Sequence, residues 1–179
     1  EFPAPDNLSS QHTYVKTTYP QVMNQEINLN YKKRVSERYK AILASIPPNL
    51  PVGIVHGDIF PDNLLFEDGE FKAIIDFEDV SRIYKIFDLG MAIVGLCTNE
   101  TEIDISKSRA LVSGYQEIRS LEEPEKKSLK TLIELAAILT STWRFWKYNI
   151  DMPDMGDSNK YVHMVDIAKN AKAIPSREF

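Results

Sequence analysis

The stretch His-Gly-Asp-Ile-Phe-Pro-Asp-Asn at residues 56–63, together with Ile-Asp-Phe at 75–77, decides how this chain is expected to fold. Its polar side chains include Asp58, then Asn63 five residues later, and Asp76 beyond an intervening segment. Each of these three carries an oxygen atom suited to a proton or a hard cation. The spacing predicts that they meet at one site, provided that the intervening segment folds back on itself.

The segment between the two motifs has the pattern of a β-hairpin. Residues 64–66 and 71–75 are rich in apolar and β-forming side chains, and the turn between them contains an Asp-Gly pair. A hairpin at this place returns the chain to its starting point. We therefore expect Asp76 to lie beside Asn63, with both side chains facing one cation.

This spacing is the one that phosphoryl transfer requires. In kinases a loop Asp accepts the proton of the substrate hydroxyl, an Asn five residues later reaches magnesium, and an Asp after a short hairpin bridges metal and phosphates. By position, Asp58 is the predicted catalytic base, and Asn63 and Asp76 are the predicted metal ligands. Because Mg²⁺ usually takes one or two carboxylates together with phosphates and water, Mg²⁺ and ATP are the predicted cofactors.

Residues 56–78 resemble the signature of the aminoglycoside and choline kinase-like phosphotransferases, which share the protein-kinase-like fold. Three later segments resemble the type II homoserine kinase branch: Phe87-Asp88-Leu89-Gly90, Ser113-Gly114-Tyr115-Gln116 and the Ala-rich run from Ala136 to Phe145. The resemblance implies a mostly helical α+β fold, the C-terminal lobe of a kinase, with a small β-hairpin carrying the catalytic loop. It also implies phosphoryl transfer from ATP to the hydroxyl of a small molecule, such as the hydroxylated amino acid homoserine.

Two kinds of alternative remain open at this point. Relatives of the same fold also act on choline, ethanolamine, hydroxylysine, aminoglycosides and sugars, and a fold does not choose among them. The other alternative is a noncatalytic binding module that kept a kinase-like lobe. The presence of Asp58, Asn63 and Asp76 argues against this module, because a scaffold has no physical need for three such groups in register.

Four further residues have candidate supporting roles. The resemblance implies that His56 acts mainly as a scaffold for the loop. Asp88 would brace the loop from beneath, although an Asp at the start of an apolar helix also serves as a cap or dipole partner. Glu78 would point to the same side as Asp76 in an extended segment and assist the metal or hold a substrate ammonium, or it is a solvated acid. Arg144 could pair with a substrate carboxylate, but its Trp neighbours favour a place in the core.

Length, charge and cysteine content limit the class of protein. With 179 residues and 43% hydrophobic content, residues 1–179 are expected to form a single domain. A net charge of -5 without a basic block argues against nucleic acid as a partner. One cysteine cannot form an internal disulfide, and neither a secretory signal nor an apolar run of ~20 residues is present. We therefore expect a cytoplasmic protein that does not span a membrane.

The sequence before His56 lacks the other half of a kinase. A kinase of this fold needs a phosphate-covering loop, often Gly-rich, and a Lys on a strand, both supplied by an N-terminal β-rich lobe. The first 50 residues contain no Gly, and residues 1–10 have the composition of an irregular approach to a helix. The missing N-terminal lobe is therefore an expected partner of this chain, which we expect to be a poor catalyst alone.

Apolar periodicity predicts the helices. They lie at residues 31–46, 87–97, 106–119, from a start near 121–125 to 145, and at 161–172. A capping box of Ser120 and Glu123 is expected at the start of the fourth helix. That helix is apolar on nearly every side from residue 129 onward, which predicts that it lies inside the domain. In the third, which is amphipathic, Leu111, Tyr115 and Ile118 are expected together on the buried side.

Overall fold

The computed structural model describes residues 18–175, so the predicted approach at residues 1–10 lies outside the described range. Within this range the fold is mostly helical α+β, with three pairs of short antiparallel strands. The helices are α1 (Tyr19–Asn24), α2 (Leu29–Ser45), α3 (Phe87–Leu96), α4 (Ile105–Ile118), α5 (Glu123–Trp146) and α6 (Lys160–Ala173). The strands are β1 (Val52–Val55), β2 (Leu64–Glu67), β3 (Glu70–Ile74), β4 (Ser81–Tyr84), β5 (Thr98–Asn99) and β6 (Glu102–Ile103).

Helix α5 forms the centre of the core. It packs against α1, α2, α3 and α6, and every residue from 132 to 142 is buried. Burial of a large apolar side chain contributes roughly 1.5–3 kcal/mol, so this helix is a main source of stability. The buried carboxylate of Glu134 on α5 is compensated by a two-point ion pair with Arg38 of α2. The prediction of a helix that lies inside the domain is confirmed.

The start of α5 at Glu123 lies within the predicted range of 121–125, but its capping box differs from the prediction. Glu122 is the N-cap, and the capping box joins it to Glu125 rather than joining Ser120 to Glu123. The Glu125 carboxylate is fully buried and accepts hydrogen bonds from the backbone N–H of Glu122 and from the guanidinium of Arg119. The buried ion pair therefore fixes the position of the helix start, and a local sequence pattern does not contain that tertiary contact.

The face that α4 buries agrees with the prediction only in part: Leu111 and Tyr115 are partly buried against the core, but Ile118 is not. Ser108 and Val112 are the buried residues of this helix, whereas Ile118 at its C-terminal end is 92% exposed. Ile118 is the last residue of α4, and the next residue, Arg119, is extended at the C-cap. The prediction that placed Ile118 on the buried side is therefore wrong.

The strands position the loop at residues 56–63. β2 and β3 form an antiparallel hairpin whose turn residues Asp68 and Gly69 have φ values of 53° and 78°. Positive φ at both positions is what a two-residue hairpin turn needs, and Asp-Gly supplies it. β1, which immediately precedes the loop, pairs with β4 from Val52↔Tyr84 to Val55↔Ser81. Each end of the loop is therefore anchored by a strand pair. No helix between residues 18 and 175 is long and apolar enough to cross a bilayer.

Candidate active site

The loop at 56–63 makes a sharp turn immediately after β1. Gly57 has φ of 89°, a conformation that a residue with a Cβ atom adopts only at a steric cost. A short 3₁₀ turn at Pro61–Asn63 then leads into β2. Because of the two turns, the chain leaves β1 and enters the hairpin within eight residues, so that Asp58 and Asn63 are held on one compact loop.

Asp58 and Asn63 are in direct contact. The side-chain Nδ2 of Asn63 donates to the backbone carbonyl of Asp58 and to its carboxylate Oδ2, both at 2.9 Å. Asn63 is buried, whereas Asp58 is partly exposed. Since Nδ2 faces Asp58, the amide Oδ1 of Asn63 points away from that carboxylate. The predicted proton acceptor and the amide oxygen are therefore close neighbours that point in different directions.

The end of the hairpin is joined to the same loop. The backbone N–H of Ile75 donates to the carbonyl of Asn63 at 3.0 Å, and the ring Nε2 of His56 contacts the carbonyl of Ile75 at 2.9 Å. Asp76 follows directly, with φ of 62°, an uncommon value for a residue other than Gly. Non-Gly residues with such values cluster at functional sites. The structure thus brings the backbone of Asp76 next to the loop.

The carboxylate of Asp76 is exposed. In the part of the chain that the structure describes, it makes no hydrogen bond or ion pair with another side chain. Such a carboxylate remains accessible to a ligand from solvent, which suits the predicted metal-binding role.

His56 is held by both of its ring nitrogens. The backbone N–H of Asp58 donates to Nδ1 at 3.2 Å, so Nε2 carries the proton that it donates to Ile75. The ring is buried and packs edge-on against Phe77 with 4.7 Å between ring centroids. Because both nitrogens are engaged within the protein, the geometry suits a scaffold and does not suit a base acting on a substrate.

Asp88 lies beneath the loop, in the first turn of α3. Its two carboxylate oxygens accept the backbone N–H groups of His56 at 2.8 Å and of Gly57 at 2.9 Å. A carboxylate at this end of a helix is also favoured by the helix dipole. Asp88 therefore connects α3 to the first two residues of the loop.

The argument that placed the Glu78 side chain on the same side as Asp76 does not hold. That reasoning required an extended segment, but Asp76 has a positive φ and the chain turns at 78–79. The premise is wrong because the hairpin ends in a left-handed residue, which changes the direction of every side chain that follows. Glu78 is exposed, and a role for it stays a prediction.

A cavity of about 540 Å³ opens beside the loop. Asp58 and Asp62 line one part of it, and Arg144 from the C-terminal end of α5 lines another. This volume lies within the range of roughly 300–1,000 Å³ that is typical of small-molecule sites. Trp143 and Trp146 pack against the core, as their apolar character predicts, whereas Arg144 lies at a cavity that also contains the candidate base.

Sequence reasoning missed four other polar residues of this cavity, Thr140, Tyr148, Lys160 and His163. The sequence did contain a signal for two of them, because Thr140, Arg144 and Tyr148 recur every four residues on one helical face. Lys160 is paired with Asp157 at 2.6 Å and lies over the ring of Tyr148. The hydrogen bond with Asp157 raises the pKa of the Lys160 ammonium, so it stays charged at neutral pH.

The donor set around the loop fits magnesium rather than a softer metal. In residues 18–175 no group of three or more His, Cys, Asp or Glu side chains could enclose an ion. Mg²⁺ does not need such a cage, because it usually keeps water and takes one or two protein carboxylates plus phosphates. The Oδ1 of Asn63 and the carboxylate of Asp76 are hard oxygen donors of the appropriate kind.

Comparison with known proteins identifies the family. The sequence profile described as "Phosphotransferase enzyme family" matches residues 3–124, which is more than half of the chain. The chain belongs to this family.

Individual relatives agree with that assignment. The chain is similar to the homoserine kinase of Phenylobacterium zucineum, with 37% identity over 93 residues, which cover 51% of this chain and 29% of that protein. The homoserine kinase of Granulibacter bethesdensis is 31% identical over 124 residues, covering 69% and 39% of the two chains. That of Acidiphilium cryptum is 36% identical over 115 residues, covering 64% and 36%. The chain thus spans between about three tenths and two fifths of the length of these relatives.

Proposed function

We propose that this chain is the catalytic part of a small-molecule kinase that transfers the terminal phosphoryl group of ATP, with Mg²⁺, to a hydroxyl group. The observation that carries the proposal is the contact between Asp58 and Asn63, with the hairpin end before Asp76 hydrogen-bonded to the same loop. Membership of the phosphotransferase family supports the reaction class. An Asp, an Asn and a second Asp are the groups that this reaction needs.

In this proposal Asp58 is the catalytic base. It orients the substrate hydroxyl and accepts its proton late, because a loose transition state makes early deprotonation unnecessary. The hydrogen bond from Asn63 to Oδ2 fixes the direction of the carboxylate. The scaffold of His56 and Asp88 limits movement of the loop backbone, and a well-oriented base contributes more than a mobile one.

Asn63 and Asp76 would hold the magnesium ion. When bound, Mg²⁺ neutralises the charge that builds on the bridging and transferred oxygens. The protein side contributes the amide Oδ1 on one side and the exposed carboxylate on the other. The positive φ of Asp76 would then be the conformation that turns this carboxylate toward the loop.

For the substrate, we propose a hydroxylated amino acid such as homoserine. The cavity beside Asp58 contains the guanidinium of Arg144, which suits the planar geometry of a carboxylate. Lys160 adds a second cation to the same cavity. Choline, ethanolamine and aminoglycosides lack a carboxylate and carry positive charge, so this wall favours them less. The homoserine kinases among the relatives support the same choice.

We further propose that the fold is the C-terminal lobe of a protein-kinase-like enzyme and that an N-terminal lobe completes it. Among the described residues, eight of the fifteen exposed large apolar side chains lie between residues 52 and 80, on the strands and loops that flank Asp58. An apolar surface of this kind favours a covering partner. Without that lobe the chain would transfer phosphate poorly. Its single reduced cysteine suits the cytoplasm.

An ADP-release assay of the natural full-length protein tests the reaction and the substrate class together. L-Homoserine and 3-amino-1-propanol form a matched pair, since they differ only in the carboxylate. We expect turnover with homoserine and a much lower kcat/KM with the amino alcohol. Arg144→Gln should raise KM for homoserine and leave that for the amino alcohol unchanged. Equal kcat/KM values for the two substrates would contradict the role of Arg144 without contradicting phosphoryl transfer.

Calorimetric titration with Mg²⁺-ATP separates the enzyme from a noncatalytic module. We expect binding to the full-length protein, with a loss of affinity in Asp76→Asn, and weak or absent binding to the 179-residue chain. Absence of binding to the full-length protein would favour the module.

A further inference from the structure

A second cavity of about 180 Å³ lies between α2, α5 and α6, and it shares no lining residue with the cavity beside Asp58. Its floor is apolar and is formed by side chains from all three helices: Tyr31, Val35, Ile138, Val165 and Ala168. We call this cavity, together with the charged residues around it, the basic groove. An apolar floor with a few polar groups at its edge is the usual composition of a small-molecule site.

The rim of the basic groove carries an excess of positive charge. Arg38 is neutralised by Glu134, and Lys169 is paired with Asp166. Arg34 and Lys172 also line the groove, and in the described range neither forms an ion pair with a carboxylate. Two exposed cations without an anionic partner favour an anion, and they do so on a chain whose net charge is -5.

The floor is held rigidly in place. The hydroxyl of Tyr31 is hydrogen-bonded to Oγ of Ser141 at 2.9 Å, and that oxygen donates to the carbonyl of Tyr161 at 3.1 Å. The Tyr31 ring is stacked on Phe145 with 4.7 Å between centroids. Burial raises the pKa of the Tyr31 phenol, so it stays neutral at every pH of interest. A preformed floor lowers the ordering cost that a ligand must overcome.

We propose that the basic groove binds a small monocarboxylate with a compact apolar body. The carboxylate lies between Arg34 and Lys172, and the apolar part covers Val35 and Ala168. The size of the cavity sets the size of the body, because a cavity of about 150 Å³ accepts a benzene ring. Benzoate therefore has the appropriate dimensions and charge to serve as a probe.

This proposal does not depend on the proposed kinase function. Nevertheless, α5 and α6 each contribute residues to both cavities, among them Ile138 and Arg144 on α5 and Ala168 and His163 on α6. A ligand in the basic groove is thus bound by the same two helices that shape the wall opposite Asp58.

Titration of the natural full-length protein with benzoate, benzyl alcohol and benzylamine tests the proposal, with amide chemical shifts as the readout. We expect saturable binding of benzoate, with chemical-shift changes on α2 and α6. Benzyl alcohol and benzylamine should bind at least about fivefold more weakly, because fivefold is the largest effect expected of one solvent-exposed ion pair and benzoate would form two. Benzyl alcohol binding as tightly as benzoate would overturn the charge assignment. If binding does not saturate at benzoate concentrations up to about 20 mM, the affinity is weaker than millimolar, and the proposed site would be wrong.

Variants distinguish the groove from general electrostatic attraction. Arg34→Gln and Lys172→Gln should each weaken benzoate binding about two- to fivefold. Lys33→Gln is the matched control, since Lys33 is exposed on the same helix as Arg34 but does not line the groove. An equal loss in the Lys33 variant would overturn the proposal. Ala168→Met should block the floor and abolish binding, with thermal unfolding measured to verify the fold. Unchanged affinity in a folded Ala168→Met protein would place the ligand elsewhere.

Discussion

The side-chain amide of Asn63 donates two hydrogen bonds to Asp58, one to its backbone carbonyl and one to its carboxylate, and each is 2.9 Å long. The five-residue spacing in the sequence is therefore not only a spacing between two functional groups. It closes a small ring in which one proposed metal ligand orients the proposed base. The direction of the Asp58 carboxylate and the direction of Asn63 Oδ1 are consequently set together.

Removal of the charge at Asp58 should abolish most of the activity. We expect Asp58→Asn to lower kcat of the full-length protein at least ~100-fold, the lower end of general-base contributions, with a small change in KM. The measurement is steady-state kinetics with homoserine. Asp68→Asn is the isosteric control, because Asp68 is an exposed turn residue with positive φ, which Asn also tolerates. A near-normal kcat in Asp58→Asn would refute the assignment of the base.

Asp76 should be needed for magnesium far more than for folding. Because its carboxylate is exposed and makes no hydrogen bond or ion pair with another side chain in the described range, we expect Asp76→Asn to change the free energy of unfolding by less than about 0.5 kcal/mol. The Mg²⁺ concentration for half-maximal activity should rise at least tenfold or so, a typical effect of weakening a metal site. Kinetics at varied Mg²⁺ and fixed ATP measure this change. An unaltered Mg²⁺ dependence would contradict the ligand assignment.

Asp88 should stabilise the loop through its two hydrogen bonds. Asp88→Asn replaces one acceptor oxygen with an NH₂ group that faces a backbone N–H of His56 or Gly57. We expect a loss of about 1–3 kcal/mol in the free energy of unfolding. Hydrogen exchange at the His56 and Gly57 amides should also accelerate.

A matched control exists for this substitution. Asp104 caps α4 by accepting the backbone N–H of Lys107 at 2.9 Å, and Asn is about as good a cap as Asp. Asp104→Asn should therefore change stability little. Equal effects of the two substitutions would indicate that Asp88 contributes only as a helix-terminal charge.

Local patterns in the sequence are sufficient to predict the loop and the hairpin. The Asp-Gly pair at 68–69 specifies the turn, and the apolar runs on either side specify the strands, so the return of the chain to Asn63 follows from neighbours in sequence. The capping box and the burial of Ile118 were predicted wrongly because neighbours in sequence do not determine them. Both depend on contacts made across the fold, the first on the buried Glu125 and the second on where α4 ends.

The candidate site also combines residues that local sequence reveals with residues that only tertiary packing brings together. Asp58, Asn63 and Asp76 could be found because they lie within one short motif. His163 could not, because it reaches the cavity only through the packing of α6 against α5. The reasoning for Glu78 failed at a single dihedral angle, the positive φ of Asp76, which Asp tolerates but which the β-forming pattern around it does not predict.

The cysteine offers a measurement that needs no substrate. Cys97 is buried, and burial raises the pKa of its thiol, although a hydrogen bond with Ser108 partly opposes this effect. The folded protein therefore disfavours the reactive thiolate. We expect iodoacetamide at pH 8 to modify the native protein at least ten times or so more slowly than the urea-unfolded chain. Since the chain has one cysteine, mass spectrometry reads the reaction directly.

The same shift gives a pH dependence of stability with a definite sign. Because the pKa is higher in the folded state, the unfolded chain loses the thiol proton first, and the contribution of Cys97 decreases as the pH rises above about 8.5. Below that pH the contribution is fully present. The difference in unfolding free energy between the wild type and Cys97→Ala, measured at pH 7 and pH 9.5, should therefore shrink at the higher pH. A difference that grows with pH would show that the native fold favours the thiolate, and the burial argument would then be wrong.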